Sequence, residues 1–393
     1  MSFEILETET RGTIIKVVGV GGAGGNAVQH MIARGVQGVE FICANTDHQA
    51  LARSSSKNIL QLGKTGLGAG SRPEAGRAAA EEARDRIADA LRGAHMVFIT
   101  AGMGGGTGTG AGPVFAEIAK ELGILTVAVV SKPFEFEGPK RMKLAEAGVT
   151  QLEDTVHSLI VILNNKLEEV MGEDAEMAEC FRAADDVLHN ACAGIAEIIN
   201  VPGLVNVDFE DVKTVMSEQG KAMMGTALAS GLDRARIAAE LAVASPFLEG
   251  VDLSGARGVL VNITASSSLK MKETREVMNT IRAFAAEDAT VIFGTVCDET
   301  IGDGLRVTVV ATGLGRAASK KQSTPFTVVR TGTDSAPLSV PIAASHAPSS
   351  DYSDFEKPAI WRTRESAQSR VAAMEDTGSD RYDIPAFLRK QAD

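Results

Sequence analysis

Residues 104–110, Gly-Gly-Gly-Thr-Gly-Thr-Gly, constrain this chain more than any other stretch. The apolar run Met96-Val97-Phe98-Ile99-Thr100 before them has the pattern of a buried strand. After them Val114, Phe115, Ile118 and Leu122 recur at helical spacing. Pro113 is expected in the first helical turn, where a missing N–H is tolerated. Bare backbone N–H groups between a strand and a helix can close on an anion, and the helix dipole favours negative charge there. Thr107 and Thr109 offer hydroxyls to phosphate oxygens or to a metal-bound water. Gly104, Gly105, Gly106, Gly108 and Gly110 leave room for the ligand; a flexible turn is the simpler alternative. No lysine lies inside the run, so it is not the usual P-loop, and backbone and hydroxyls must do the holding.

A second glycine run follows another buried-strand pattern, expected over residues 13–18. Gly19-Val20-Gly21-Gly22-Ala23-Gly24-Gly25-Asn26 contains G-x-G-x-x-G, with a helix expected over residues 27–34 and Asp47 about twenty residues on, as a dinucleotide fingerprint asks. One pyrophosphate needs one such loop. Two loops at the carboxyl ends of parallel strands suit a nucleoside triphosphate held from both sides. A dinucleotide-dependent oxidoreductase of Rossmann type remains the alternative enzyme, and a nucleotide-binding scaffold without turnover the non-enzymatic one.

Further strands are expected at 39–44, 124–130 and 158–163, and helices at 77–91 and 180–200. Asn45-Thr46-Asp47 could cap a helix or face the ligand. The glycine-rich stretch 63–76, with Gly70, has the composition of a functional loop. Glu137 and Arg141, four apart, could be a helix-face ion pair. In the long helix Phe181 and Asp185 share a face. A phenyl ring can stack on a purine, and a carboxylate can accept from the two adjacent N–H donors of guanine; Phe181 as core is the competing assignment. Asp208, with Asp211 three residues on, resembles a capping box before a helix at 212–218.

The G-G-G-T-G-T-G loop, Asn206-x-Asp208-x-x-Asp211 and much of the chain between residues 13 and 312 resemble the tubulin/FtsZ superfamily of GTPases. The fold class that resemblance implies is α/β: a Rossmann-like parallel-sheet GTPase domain, a long central helix and a second, smaller α+β domain. A disordered C-terminal linker and a short helical tail peptide complete it. The expected boundaries are 1–12 for an N-terminal extension, 13–178 for the GTPase domain and 179–201 for the central helix. The support domain takes 202–314, the linker 315–380 and the tail 381–393.

By the same resemblance the ligand is GTP/GDP, with Mg2+ arriving on the nucleotide and no separate metal site. Gly21, Gly22, Ala23, Gly24, Gly25 and Asn26 would contact it, with Gly70 near the γ-phosphate. Glu137 and Arg141 would meet ribose and phosphate, and Asn26, Phe181 and Asp185 the guanine. The family has proline then Asn-Asp where this chain has Leu163, Asn164 and Asn165, which puts an amide at the Asn165 position. Asn206, Asp208 and Asp211 would be catalytic, entering the site of the next subunit in a head-to-tail filament.

In the support region helices are expected at 233–245 and 269–286, the second capped by Ser267 or Ser268 with Val277, Ile281 and Phe284 inward. Strands are expected at 258–264, 290–296 and 306–312. The formal charge of −12 and pI near 5.1 argue against a nucleic-acid partner. The four cysteines, Cys43, Cys180, Cys192 and Cys297, fall in apolar segments without ligand spacing and are expected as buried free thiols. The stretch 315–380 is rich in Ser, Thr, Ala and Pro and lacks a period. Residues 383–393, with Ile384, Phe387 and Leu388 on one face, have the pattern of a docking helix. The resemblance implies tethering there through FtsA and ZipA, and binding of other division regulators. A cytoplasmic location at mid-cell beneath the inner membrane is expected, with no direct membrane insertion.

Overall fold

The computed structural model describes residues 12–314 apart from 173, 202, 219, 249–255 and 287–288. The expected linker, the tail and nearly all of the N-terminal extension lie outside the described residues. Ten strands form one sheet: β1 (Ile15–Val20), β2 (Val39–Asn45), β3 (Asn58–Gln61), β4 (Met96–Gly102), β5 (Leu125–Lys132), β6 (Ser158–Leu163), β7 (Gly220–Ser230), β8 (Gly258–Ala265), β9 (Thr290–Cys297) and β10 (Gly304–Leu314). Their order is β3-β2-β1-β4-β5-β6-β7-β10-β8-β9. The pairs from β3 through β6 are parallel. A short parallel ladder joins β6 to β7, and β10 runs antiparallel between β7 and β8.

The apolar strand runs exist because both faces of the parallel half are covered. Side chains alternate with period two. Ile15, Val17, Met96, Phe98, Val127 and Val129 join one core with α1 (Gly21–Ala33), α8 (Met177–Asn200) and α9 (Phe209–Met216). Val18, Val20, Val97, Ile99, Ala128 and Val130 join the other, with α3 (Pro73–Glu82), α4 (Arg84–Leu91), α5 (Thr107–Glu121) and α6 (Pro139–Thr155). So α1, leaving β1, and α5, leaving β4, lie on opposite faces. The two strands between them are the point at which strand order reverses, and a crevice opens there at their carboxyl ends.

The long helix α8 reaches across the sheet. Leu188 and Ile195 share a core with Ile160 of β6, Leu260 of β8 and Val310 of β10. Asn262 of β8 donates to the Gly194 carbonyl at 3.0 Å, and Arg306 of β10 pairs with Glu197 at 3.0 Å. A third core, mostly alanine and β-branched residues, joins α10 (Arg234–Val243) and α11 (Met271–Arg282) to β8 and β10. Among the described residues no helix is long and apolar enough to cross a membrane.

Several elements depart from expectation. Pro113 is not in the first turn: α5 begins at Thr107, so the threonine-glycine part of the run is itself helical. The helix after β1 starts at Gly21, not near residue 27. The helix expected at 77–91 starts earlier, at Pro73, and breaks at Ala83 into α3 and α4. Helix α11 is capped from Lys270, whose N–H donates to Glu273 at 2.8 Å. Ser268, expected as the cap, instead accepts from Arg234 through its hydroxyl at 3.1 Å. Phe284 is exposed rather than inward, and Cys297 is exposed while the other three thiols are buried. The sequence reading did not pick out β3, α2 (His48–Ala52), α6, α7 (Asn164–Met171) or β7.

Glycine in a helix costs up to about 1 kcal/mol against alanine, and the packing explains why α5 keeps it. A Cβ on Gly110 would overlap the Pro73 carbonyl and lie 2.7 Å from the Arg77 N, both on α3. One on Gly112 would meet nothing within 4 Å. Gly110→Ala is therefore expected to lose about 1–3 kcal/mol in denaturant unfolding, the usual cost of overpacking. Gly112→Ala should gain up to about 1 kcal/mol. Equal effects would contradict the packing account.

Candidate active site

Strands β1 and β4 end side by side, Val20 opposite Ala101. Helices α1 and α5 start immediately beyond them, so two sets of unpaired N–H groups and two positive dipole ends face one crevice. Their approach is tight: a Cβ on Gly21, whose φ is +78°, would lie 2.9 Å from the Gly108 N. Two cavities open here, of about 630 and 390 Å3, and both are lined by Gly22, Asn26, Gly106 and Thr107. They form one cleft pinched at the glycine backbones.

The glycine runs divide by role. Gly21, Gly22, Gly25, Gly105, Gly106 and Gly108 line the cleft. Gly24, Gly104 and Gly110 do not, and each would collide with backbone if it carried a side chain: the Thr100 carbonyl, the Arg141 carbonyl and the Pro73 carbonyl respectively. The threonines divide likewise. Thr107 lines both cavities, and its hydroxyl meets that of Thr46 at 2.6 Å. Thr109 is buried, and its hydroxyl accepts from the Gly104 N–H at 2.8 Å. It braces the loop and lines neither cavity.

The larger cavity is closed by two loops. Asp47 caps α2, accepting from the Gln49 N at 2.8 Å, and also lines the cavity. Gly70 and Ser71 line it from a loop in which Ser71 itself has φ +55°. A left-handed residue other than glycine there is costly and fits a loop shaped for a ligand.

The smaller cavity has the chemistry of a purine pocket. Ala23 and Asn26 enter from α1, and Phe181 and Asp185 from α8. Phe181 is 44% exposed, so it is not core. Its ring stands edge-on to Phe134, centroids 5.4 Å apart, and Phe134 stacks on Phe136. Among the described residues no protein donor bonds the Asp185 carboxylate. Burial pushes it up to about 6, an effect that neighbouring His30 opposes and Asp186 reinforces. Glu137 and Arg141 line the rim as an ion pair of 2.7 Å, and Glu137 also accepts from the Phe134 N at 2.9 Å.

The departing loop behaves differently from expectation. Asn165 does not line the cleft; its Oδ1 accepts from the Glu135 N at 3.0 Å and holds that turn. Asn164 lines it instead, buried, with an Oδ1 that has no hydrogen-bond partner among the described residues. Its only sequence signal was its place at a strand's carboxyl end. Arg53 and Gln29, on the larger cavity, carried no signal.

Asn206, Asp208 and Asp211 lie elsewhere. Helix α9, which Asp208 caps, sits at the amino ends of the strands: Phe209 meets the ring of His95, just before β4, and the Met216 carbonyl accepts from Ser158, the first residue of β6. The length of β4, roughly 20 Å at a strand's rise, separates this loop from the glycine runs. Asn206 accepts from the Gly203 N at 2.8 Å, and Asp208 from the Asp211 N at 2.8 Å. Asp211 is exposed. The loop docks on β9, where Val205 and Thr295 exchange bonds of 2.8 and 3.0 Å. One chain thus gathers a nucleotide cleft and, at the far end of the sheet, a carboxylate loop.

A doubly wound sheet with two glycine-led helices at its switch point and a purine-sized pocket beside them defines a nucleotide-binding protein with a phosphate loop that is not of the P-loop type. Residues 14–172 match the model of the Tubulin/FtsZ family, GTPase domain, and residues 220–315 that of the FtsZ family, C-terminal domain. The chain belongs to the Tubulin/FtsZ family. It is 54% identical over 393 residues to the cell division protein FtsZ of Coxiella burnetii, spanning 99% of each chain. It is 53% identical to that of Pseudomonas aeruginosa, spanning 100% of each. Its fold is similar to that of the empty FtsZ dimer of M. jannaschii, with TM-score 0.74, 41% identity, and coverage of 78% of this chain and 89% of that one. A GDP-bound CetZ1 monomer of Haloferax volcanii, at 17% identity and TM-score 0.67, shares the fold, covering 78% of this chain and 96% of its own. The oxidoreductase alternative finds no support in these matches.

The raised Asp185 pKa has a signed consequence. If Asp185 is the guanine acceptor, its carboxylate must be ionised to accept from the base's two N–H groups, and it takes up a proton as pH falls through about 6. Guanine-nucleotide affinity, measured by fluorescence titration, should hold above that value. Below it, affinity should fall by up to about tenfold per pH unit. Asp185→Asn should flatten the profile.

Proposed function

We propose that this chain is a GTPase whose active site is completed by the adjacent subunit of a head-to-tail filament, and that it builds the cytokinetic ring of dividing bacteria. Guanine-nucleotide binding, hydrolysis and self-assembly follow from its family; the residues and their division between subunits are our reading. The observation that carries it is the separation just described. The cleft can hold base and phosphates, while the exposed Asp211 stands at the opposite end of the sheet. A head-to-tail contact stacks one end on the other and, because it does not close, grows a filament.

In this reading the N–H groups of Gly21, Gly22, Gly105, Gly106 and Gly108 hold the phosphates. Asn26, Phe181 and Asp185 recognise guanine, and Arg141 with Glu137 closes the rim. The next subunit's Asp208 and Asp211 orient the attacking water, with Asn206 shaping their loop. Positioning and electrostatics suffice for phosphoryl transfer. Mg2+ would enter with the nucleotide and neutralise phosphate charge, since Mg2+ favours phosphate oxygens and keeps several waters. The donor set fits that: Asp47 and Thr107 are oxygen-bearing side chains on the cleft. The domain division at 13–178, 179–201 and 202–314 belongs to this reading. So does tethering by residues 383–393 to membrane-associated partners such as FtsA and ZipA, at mid-cell.

Phosphate release per subunit tests the shared site. It should be near zero at low protein concentration and rise above a threshold; a flat specific activity would place the whole site in one chain. Asp211→Ala should keep nucleotide affinity within about twofold and lower turnover by about 100-fold or more.

A further inference from the structure

Asp186 neighbours Asp185 on α8 but faces another way, since successive helical residues turn by about 100°. Its Oδ1 accepts from Arg34 at 2.7 Å and meets His30 Nε2 at 2.8 Å. His30 stands on α1 and Arg34 is its C-cap, so Asn26, His30 and Arg34 follow one another at four-residue steps along a single stripe. The ring of His189, one turn further along α8, stands edge-on to His30 with centroids 6.1 Å apart. None of these four side chains lines the cleft. The bridge joins the two helices about one turn along α1 from Asn26, which lines the smaller cavity together with Asp185.

We propose that the Asp186–His30–Arg34 bridge is a positioning device for guanine selectivity: it sets the register of α8 against α1 so that Asn26 and Asp185 reach the base edge together. This rests on the guanine reading of the cleft. The same residues make a weak stabiliser. The side chains of Arg34 and Asp186 are 56% and 39% exposed, and such solvated pairs contribute little to stability. Geometry is the larger stake. Asp185 has no described protein donor to hold it, so its placement depends on how α8 sits, and a bidentate contact to guanine fails if the carboxylate shifts or turns.

The test compares GDP with inosine diphosphate, which lacks the 2-amino group. Both dissociation constants are measured for the full chain and for Asp186→Ala, Asp186→Asn, His30→Gln and Asp185→Ala, with kcat and KM for GTP and thermal midpoints. Asp186→Ala should reduce the preference for GDP by about three- to tenfold and raise KM with little change in kcat, because the carboxylate loop lies at the other end of the sheet. Asp186→Asn keeps an acceptor oxygen and should recover most of the preference; His30→Gln should fall between. An equal weakening of both nucleotides, or an unchanged preference in Asp186→Ala when Asp185→Ala has lost it, overturns the proposal and leaves the guanine reading standing. An unchanged preference in Asp185→Ala removes the guanine reading and the proposal with it.

Discussion

The structure depends on how closely backbone approaches backbone where β1 and β4 end. A Cβ on Gly19 would strike the Gly24 carbonyl, one on Gly24 the Thr100 carbonyl, and one on Gly76 the Gly106 carbonyl. These contacts press the first turn of α1 onto the two strand ends and the start of α5 onto α3. The bare amides left at the surface offer an anion site that needs no lysine inside the glycine loop. The same side-chain-free packing that closes the core therefore also makes the anion site, and α1 and α5 need tertiary packing to offset their poor intrinsic helix propensity.

Charge is distributed consistently with that. The cleft carries helix dipoles and, at its rim, Arg141, while the exposed carboxylates of Asp208 and Asp211 are held at the opposite end of the sheet. Two carboxylates beside a triphosphate would repel it in a free subunit. In the proposed shared site, their separation would let nucleotide bind before assembly and would bring the carboxylates in only when a neighbour docks. Asp185 is the one acid in the cleft's base pocket that no described donor satisfies. Its desolvation is unfavourable until a base presents N–H groups, which makes that binding selective.

Much of this was legible in the sequence. The parallel strands showed as continuous apolar runs because both of their faces are buried. The two glycine loops showed because no other composition permits such approach. Element starts were less legible: α1 and α5 begin inside the glycine runs, where propensity argues against a helix and only packing against neighbouring carbonyls overrides it. Strand β7, Gly-Lys-Ala-Met-Met-Gly-Thr-Ala-Leu-Ala-Ser, lacks β-branched residues apart from one threonine and is specified by its neighbours β6 and β10. At the site, residue type singled out Phe181 and Asp185 and the resemblance singled out Asn26, and all three line one cavity. Neither could separate Thr107 from Thr109, or Asn164 from Asn165, because neighbouring positions at a helix start differ only in direction. The bridge from Asp186 to His30 spans 156 residues of sequence and has no local signature.

The central claim is that a working site needs the cleft of one chain and the carboxylate loop of another. Mixing two inactive variants tests it most directly. Asp211→Ala keeps the cleft and loses the loop; Asp185→Ala with Phe181→Ala keeps the loop and loses the cleft. Each alone should release little phosphate from GTP. Mixed, and confirmed to co-sediment, they should recover activity, since the cleft of the first then meets the loop of the second. Co-sedimenting mixtures that stay inactive would contradict the shared site.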